Sequence, residues 1–169
     1  MAHSTDSTTL VALAEGILGQ VSTLDNYMKE STITEPSLAA GASTELWSLH
    51  SGPVEDARSS IFGLTKQLNK LLEGPHGFLH ECISSNWELG ALYTVLEFNI
   101  LEKIPLAGQA RLSELASQSN LPENKLLSIL RLISCEQILE EVSDKTFRHT
   151  AISEELVHNP NLKAFLGFQ

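Results

Sequence analysis

Apolar residues recur along the first thirty positions at helical spacing. Leu10, Ala14, Ile17, Val21, Leu24 and Met28 are separated by steps of 4, 3, 4, 3 and 4. Such a seam is narrower than the face of an ordinary surface helix, and it predicts a helix from about Thr9 to Glu30 with a heptad-like stripe. The pattern breaks over 31–52, where Pro, Gly and Ser accumulate, and this stretch is expected to be a loop docked by Trp47. It resumes with Val54, Ala57, Ile61, Leu64, Leu68 and Leu71, a second seam expected on a helix from about Pro53 to Glu73. Ser51 is the expected cap, Glu55 and Asp56 suit the positive helix end, and Gly74-Pro75 is expected to stop the helix.

The next stretch predicts a helix over about 77–84, a polar break at Ser84-Ser85-Asn86, and a helix over about 87–103. Leu89, Leu92, Val95, Leu96, Phe98 and Ile100 make the latter apolar nearly all round, which predicts burial on more than one side. Beyond Gly108 the elements shorten. A helix over 112–118 with Ser113 as cap is followed by a turn at Ser119-Asn120. A stronger helix then runs from Pro122 to about Cys135, with Leu126, Leu127, Leu130 and Ile133 inward. Residues 138–142 and 147–150 flank Ser143–Thr146 as a β-hairpin. Helix, turn, helix and hairpin predict a winged helix. Two short helices are expected to follow, from about Ile152 and Leu162. The fold class is therefore mainly α. A helical arm at 1–74 carries the loop at about 31–52, and a helical and winged-helix region covers 75–169.

Composition narrows the function. The formal net charge is −10, with five Lys/Arg against thirteen Asp/Glu in 1–104 and six against eight in 105–169. Nucleic-acid modules usually present a basic face, so no nucleic-acid partner is expected. On the second helix of the winged helix, Glu123, Asn124, Lys125, Ser128 and Arg131 offer only two cations. The wing adds Lys145 and Arg148 but also Glu140, Glu141 and Asp144. No run of 18 apolar residues is present and the first residues have no signal-peptide pattern, so no membrane partner and a cytoplasmic location are expected. Cys82 and Cys135 lie in apolar segments and are expected as free thiols that pack as small hydrophobes. His76 and His80 stand four apart beside Glu81, but nothing completes a ligand set and no metal is expected.

The ordered series Asn86-Trp87-Glu88-Leu89-Gly90-Ala91-Leu92-Tyr93, Phe98-Asn99-Ile100, Ile104-Pro105-Leu106-Ala107-Gly108, Ser113-Glu114-Leu115-Ala116, His149-Thr150-Ala151-Ile152-Ser153 and 161–168 resembles a known family. It is similar to the N-terminal region of fungal secondary-metabolite O-methyltransferases, of the plant caffeate-type O-methyltransferase-like plan, over about 75–169. The resemblance implies an intertwined homodimer, or a dimer with a homologous methyltransferase-like chain. It also implies a separate Rossmann-like domain that binds S-adenosylmethionine and carries the catalytic base. These 169 residues hold no glycine-rich turn between a strand and a helix, so no cofactor and no unaided methyl transfer are expected of them.

On this reading the dimerisation candidates are Leu10, Ile17, Val21, Leu24, Ile61, Leu64, Leu68 and Leu71. The substrate-wall candidates are Phe78, His80, Trp87, Tyr93 and Asn99, facing a small polyketide-type ligand. Asn99, set between Phe98 and Ile100, needs hydrogen-bond partners if it is buried. The leading expectation is a dimerisation and pocket-shaping module. A stand-alone cyclase or isomerase and a methyltransferase-like transcriptional co-regulator are the alternatives.

Overall fold

The computed structural model describes residues 9–50 and 52–167. The Ser/Thr-rich start over 1–8, expected to fray, the Ser51 cap and Phe168 lie outside the described residues. Helix α1 (Leu10–Ser31) begins where Thr9 Oγ1 accepts the Ala12 N–H at 3.1 Å, and it ends at Thr32, whose φ of 58° turns the chain out of the helix. A short 3₁₀ turn (Leu46–Ser48) precedes helix α2 (Pro53–Glu97). A second 3₁₀ turn (Leu101–Lys103) leads to β1 (Ala110–Arg111), α3 (Leu112–Ser119), α4 (Glu123–Cys135), β2 (Leu139–Ser143), β3 (Thr146–His149), α5 (Ala151–His158) and α6 (Pro160–Gly167). Mainly helical structure with a small antiparallel sheet matches the fold class expected from sequence.

The chain divides into two compact units, one of Met1–Pro36 with Ser43–Glu81 and the other of Ser37–Ala42 with Cys82–Gln169. In the first unit α1 turns Leu13 fully inward, with Ile17 and Leu24 half-buried on the same stripe. Ile61, Leu64 and Leu68 of α2 are half-buried too, whereas Leu10, Val21 and Leu71 stay exposed. A Cβ added at Gly16 would stand 3.2 Å from Leu64 Cδ1, so the missing side chain lets the two helices approach. The two seams thus meet partly within one chain. In the 43–50 stretch the buried residue is Leu46, and Trp47 is only half-buried.

The expected break at 84–86 does not occur. Helix α2 runs through Ser84, Ser85 and Asn86, because serine and asparagine cost a helix interior only fractions of a kcal/mol and lack the steric block of proline. The interruption falls instead at Gly74, with φ 66° and ψ −179°, just before Pro75. The helix ends at Glu97, earlier than the Lys103 expected from its apolar run. Asn99, at φ 48°, closes it, and the Ile100 N–H reaches back to the Val95 carbonyl at 2.9 Å.

The second unit holds a continuous core. Val95, Leu96, Ile100 and Leu101 meet Leu112 and Leu115 of α3, Leu126, Leu130 and Ile133 of α4, and Leu139, Phe147 and Leu156. Phe147 is fully buried, and burial of a side chain of that size contributes roughly 1.5–3 kcal/mol. Strand order is β1-β3-β2, all antiparallel, with Leu139 opposite His149, Glu140 opposite Arg148, and an irregularity between Glu141 and Ser143. The third strand, β1, pairs Ala110 with Phe147. Residues 37–42 strap onto the same unit: Ala39 bridges Thr150, the Ala151 N–H donates to the Leu38 carbonyl at 2.9 Å, and the Gly41 N–H donates to Glu154 Oε2 at 2.6 Å.

Both cysteines depart from expectation. Cys82 and Cys135 are free but exposed, because each falls on the outward side of its helix. The expected burial of the 87–103 helix on several sides also fails within one chain. Ala91, Val95 and Leu96 face the core, while Trp87 is 64% exposed and Leu89 is open too.

Candidate functional site

The end of α2 and the start of α6 border an open groove of about 690 Å³ in the second unit. Its walls include Tyr93, Leu96, Glu97, Phe98, Asn99 and Lys163. The C-terminal turn of α2 carries the negative end of the helix dipole, and Lys103 answers it, its Nζ donating to the carbonyls of Phe98 at 2.5 Å and Asn99 at 3.1 Å. Lys163 crosses from α6, donating to Asn99 Oδ1 at 2.8 Å and pairing with Glu102. The groove therefore presents aromatic and aliphatic surface beside the Glu97 carboxylate, the Tyr93 and Thr94 hydroxyls, the Asn99 amide and the paired Lys163 ammonium. It can hold a planar apolar molecule and hydrogen-bond its polar edge. It shows no nucleophile set against a general base.

Of the five substrate-wall candidates, Tyr93 and Asn99 come together on this groove. Asn99 is exposed rather than buried, with its side-chain oxygen satisfied by Lys163. Trp87, six residues before Tyr93, points to another side of α2 and stays open. Phe78 and His80 belong to the first unit, where Phe78 lies under Lys70 Nζ at 5.1 Å from its ring centroid. Lys163, Glu97 and Pro160 were missed by sequence reasoning. A lone lysine in the apolar run of α6 was the one signal available for the first of them.

On the winged-helix face two of the four cations, Arg131 and Arg148, are held in ion pairs. Arg131 donates to both Glu141 oxygens at 2.9 and 2.8 Å and to Asp144 at 3.3 Å. Arg148 grips Glu140 at 2.9 and 3.0 Å. The hydrogen bond from Arg131, then the Lys145 N–H, holds the Glu141 carboxyl below the usual carboxylate range, and the pairing raises Arg131 in turn. This arrangement braces the hairpin against α4 and leaves little positive field for phosphate. Among the described residues no helix is long and apolar enough to cross a membrane.

The same fold is found in solved structures. The crystal structure of OxaC in complex with SAH and oxaline superposes with a TM-score of 0.57 at 15% identity, over 86% of this chain and 33% of that one. In sequence, the O-methyltransferase phnC of Penicillium herquei is 46% identical over 166 residues, 97% of this chain and 39% of its own. The transcriptional coactivator nsrH of Aspergillus novofumigatus is 30% identical over 151 residues, 86% of this chain and 34% of its own. No family model matches the chain. The homologues of this chain are fungal secondary-metabolite O-methyltransferases, which match it over nearly its whole length. It spans about two fifths or less of the length of the relatives it matches.

Proposed function

We propose that this chain is a dimerisation and pocket-shaping module of an O-methyltransferase-like protein of fungal secondary metabolism. The carrying observation is the apolar surface left open on its long helices. Val11 and Leu18 of α1, Phe62, Leu72 and Leu79 of the first part of α2, and Ile83 and Trp87 further on are all at least 60% exposed. Large side chains at that density on regular elements suit an interface rather than water. A second copy is the proposed cover, or else a homologous chain of the same family. Leu10, Val21 and Leu71 join this surface, while Ile17, Leu24, Ile61, Leu64 and Leu68 hold the helices that present it.

The groove bordered by Tyr93 and Asn99 is the proposed ligand wall, for a small polyketide-type molecule. The chemistry of methyl transfer is assigned elsewhere. A methyl donor of the S-adenosylmethionine kind needs a glycine turn between a parallel strand and a helix. The described strands are antiparallel and two to five residues long, so their residues do not fit that group.

Trp87 emission, read in a Trp47→Phe background, tests the proposal. Dilution from about 50 μM to about 0.1 μM is expected to red-shift the emission as a dimer dissociates by mass action. The Ile83→Glu variant is expected to emit at the red position throughout. Emission that ignores concentration in the native chain and matches the variant sinks the proposal.

The 30% identity to a transcriptional coactivator favours a second reading, in which the same exposed faces engage a regulatory protein. A monomeric chain that binds no small molecule at the groove would shift the balance to it.

A further inference from the structure

On the reading of the groove at the end of α2 as a ligand wall, we propose that it selects planar ligands carrying a positively charged amine, with Glu97 as the residue that sets the preference. Glu97 is the last residue of α2 and lines the groove. A helix C-terminus carries partial negative charge, so a carboxylate there is disfavoured and a cation is favoured. The last turn of α2 holds no basic residue, and Glu97 is exposed. Among the described residues no ion pair includes it. The ammonium that lines the groove, Lys163 Nζ, is held by Glu102 and by Asn99 Oδ1. Lys103 Nζ is held by the carbonyls of Phe98 and Asn99. Both nearby cations are thus committed, and the Glu97 charge is left unanswered at a helix end that already repels it.

The surroundings suit an organic cation. Tyr93 stands four residues before Glu97, so the two side chains are neighbours one turn apart on α2. Both line the groove, as does Phe98, which is 40% exposed and whose N–H still donates to the Thr94 carbonyl at 3.1 Å. An ammonium seated there meets a carboxylate and an aromatic ring, and each attracts it. The apolar body of the ligand has Leu96 and Ala164 to lie against. A ligand bearing a carboxylate would instead face Glu97 charge against charge, and would have to displace Glu102 to reach Lys163. A metal ion needs several ligating side chains, and among the described residues no group of His, Cys, Asp and Glu could hold one.

The test follows the side-chain amide of Asn99 and the backbone amides of Phe98 and Asn99 by nuclear magnetic resonance in the full chain. Naphthylmethylamine, naphthylmethanol and naphthoate share a ring system and differ in charge. They are titrated in low salt at about pH 7, where an alkylamine and a glutamate are both charged. The amine is expected to bind about three- to tenfold more tightly than the alcohol, as an exposed ion pair and a cation–π contact together allow, and the carboxylate most weakly. E97Q, its helix content checked by circular dichroism, is expected to bind amine and alcohol equally. Salt at about 0.5 M is expected to shrink the preference of the native chain. Equal binding of amine and alcohol to the native chain overturns the proposal and leaves the ligand wall standing. A preference that survives both in E97Q and in high salt overturns it too. Resonances that ignore all three probes overturn the ligand wall itself, and the proposal with it.

Discussion

The imidazole of His149 joins two parts of the chain 45 residues apart: its Nε2 lies 3.1 Å from the carbonyl oxygen of Ile104. On the other side Nδ1 stands 2.9 Å from Ser153 Oγ. The carbonyl can only accept, so Nε2 donates to it, while Nδ1 faces a Ser153 hydroxyl that also stands 3.1 Å from the Thr150 carbonyl. Ser153 Oγ also accepts the Thr150 N–H at 3.0 Å, which caps α5. Both side chains are buried. The short turn after α2, the end of β3 and the start of α5 are thus pinned at one point.

His149→Phe keeps a planar ring, somewhat larger than the imidazole, and removes both hydrogen bonds. It strands the Ile104 carbonyl and is expected to cost about 1–3 kcal/mol. Ser153→Ala removes the bond from its hydroxyl to the Thr150 N–H, one half of the capping box, and the partner of Nδ1, with a cost of similar size. Urea unfolding followed by far-ultraviolet dichroism reads both, and a midpoint unchanged in either variant would show that this contact does not pin the three elements.

Arg131→Gln is expected to let the Glu141 carboxyl rise toward its ordinary range, although the Lys145 N–H still holds part of the depression. A depressed carboxyl stabilises the fold above its ordinary range, and that stability is lost as pH falls through the depressed value. The variant should therefore lose stability near neutral pH and approach the native chain in acid. Both partners are partly exposed, so the loss is expected to be about 1 kcal/mol or less. Carboxyl chemical shifts across an acid titration give the direct reading. An unshifted Glu141 contradicts the pairing.

Gly74→Ala places a Cβ at φ 66° and ψ −179°, where only glycine is at ease, and should destabilise the first unit by about 1–3 kcal/mol. Gly90, in regular helix with open space around its Cβ position, is the control. Gly90→Ala should be stabilising by up to about 1 kcal/mol. Equal effects from the two would show that the kink is not strained for other residues.

Much of the fold is written in spacing that a reader can follow. Pro122 opens α4, and Leu126, Leu130 and Ile133 lie inward at steps of 4 and 3, because propensity and burial agree there. The hairpin was legible from its turn residues. What was not legible depends on partners distant in sequence. Strand β1 has two residues and exists because Ala110 meets Phe147. The strap at 37–42 reads as loop until Ala39 finds Thr150. Ser84-Ser85-Asn86 looked like a break because those types favour turns, yet a helix already propagating absorbs them at small cost. On α1 the stripe was read without Leu13, the residue that is fully buried. In the candidate site, Tyr93 and Asn99 were found through family resemblance. Lys163 was missed because α6 meets the end of α2 only in three dimensions.

The central claim is that the open apolar faces meet a second copy of the chain. Sedimentation equilibrium of the native chain at tens of micromolar tests it most directly, alongside an Ile83→Glu, Trp87→Glu variant whose retained helix content is checked first. The expected mass is about twice 18.5 kDa for the native chain and close to 18.5 kDa for the variant. A native chain that sediments as a monomer at that concentration would contradict the claim.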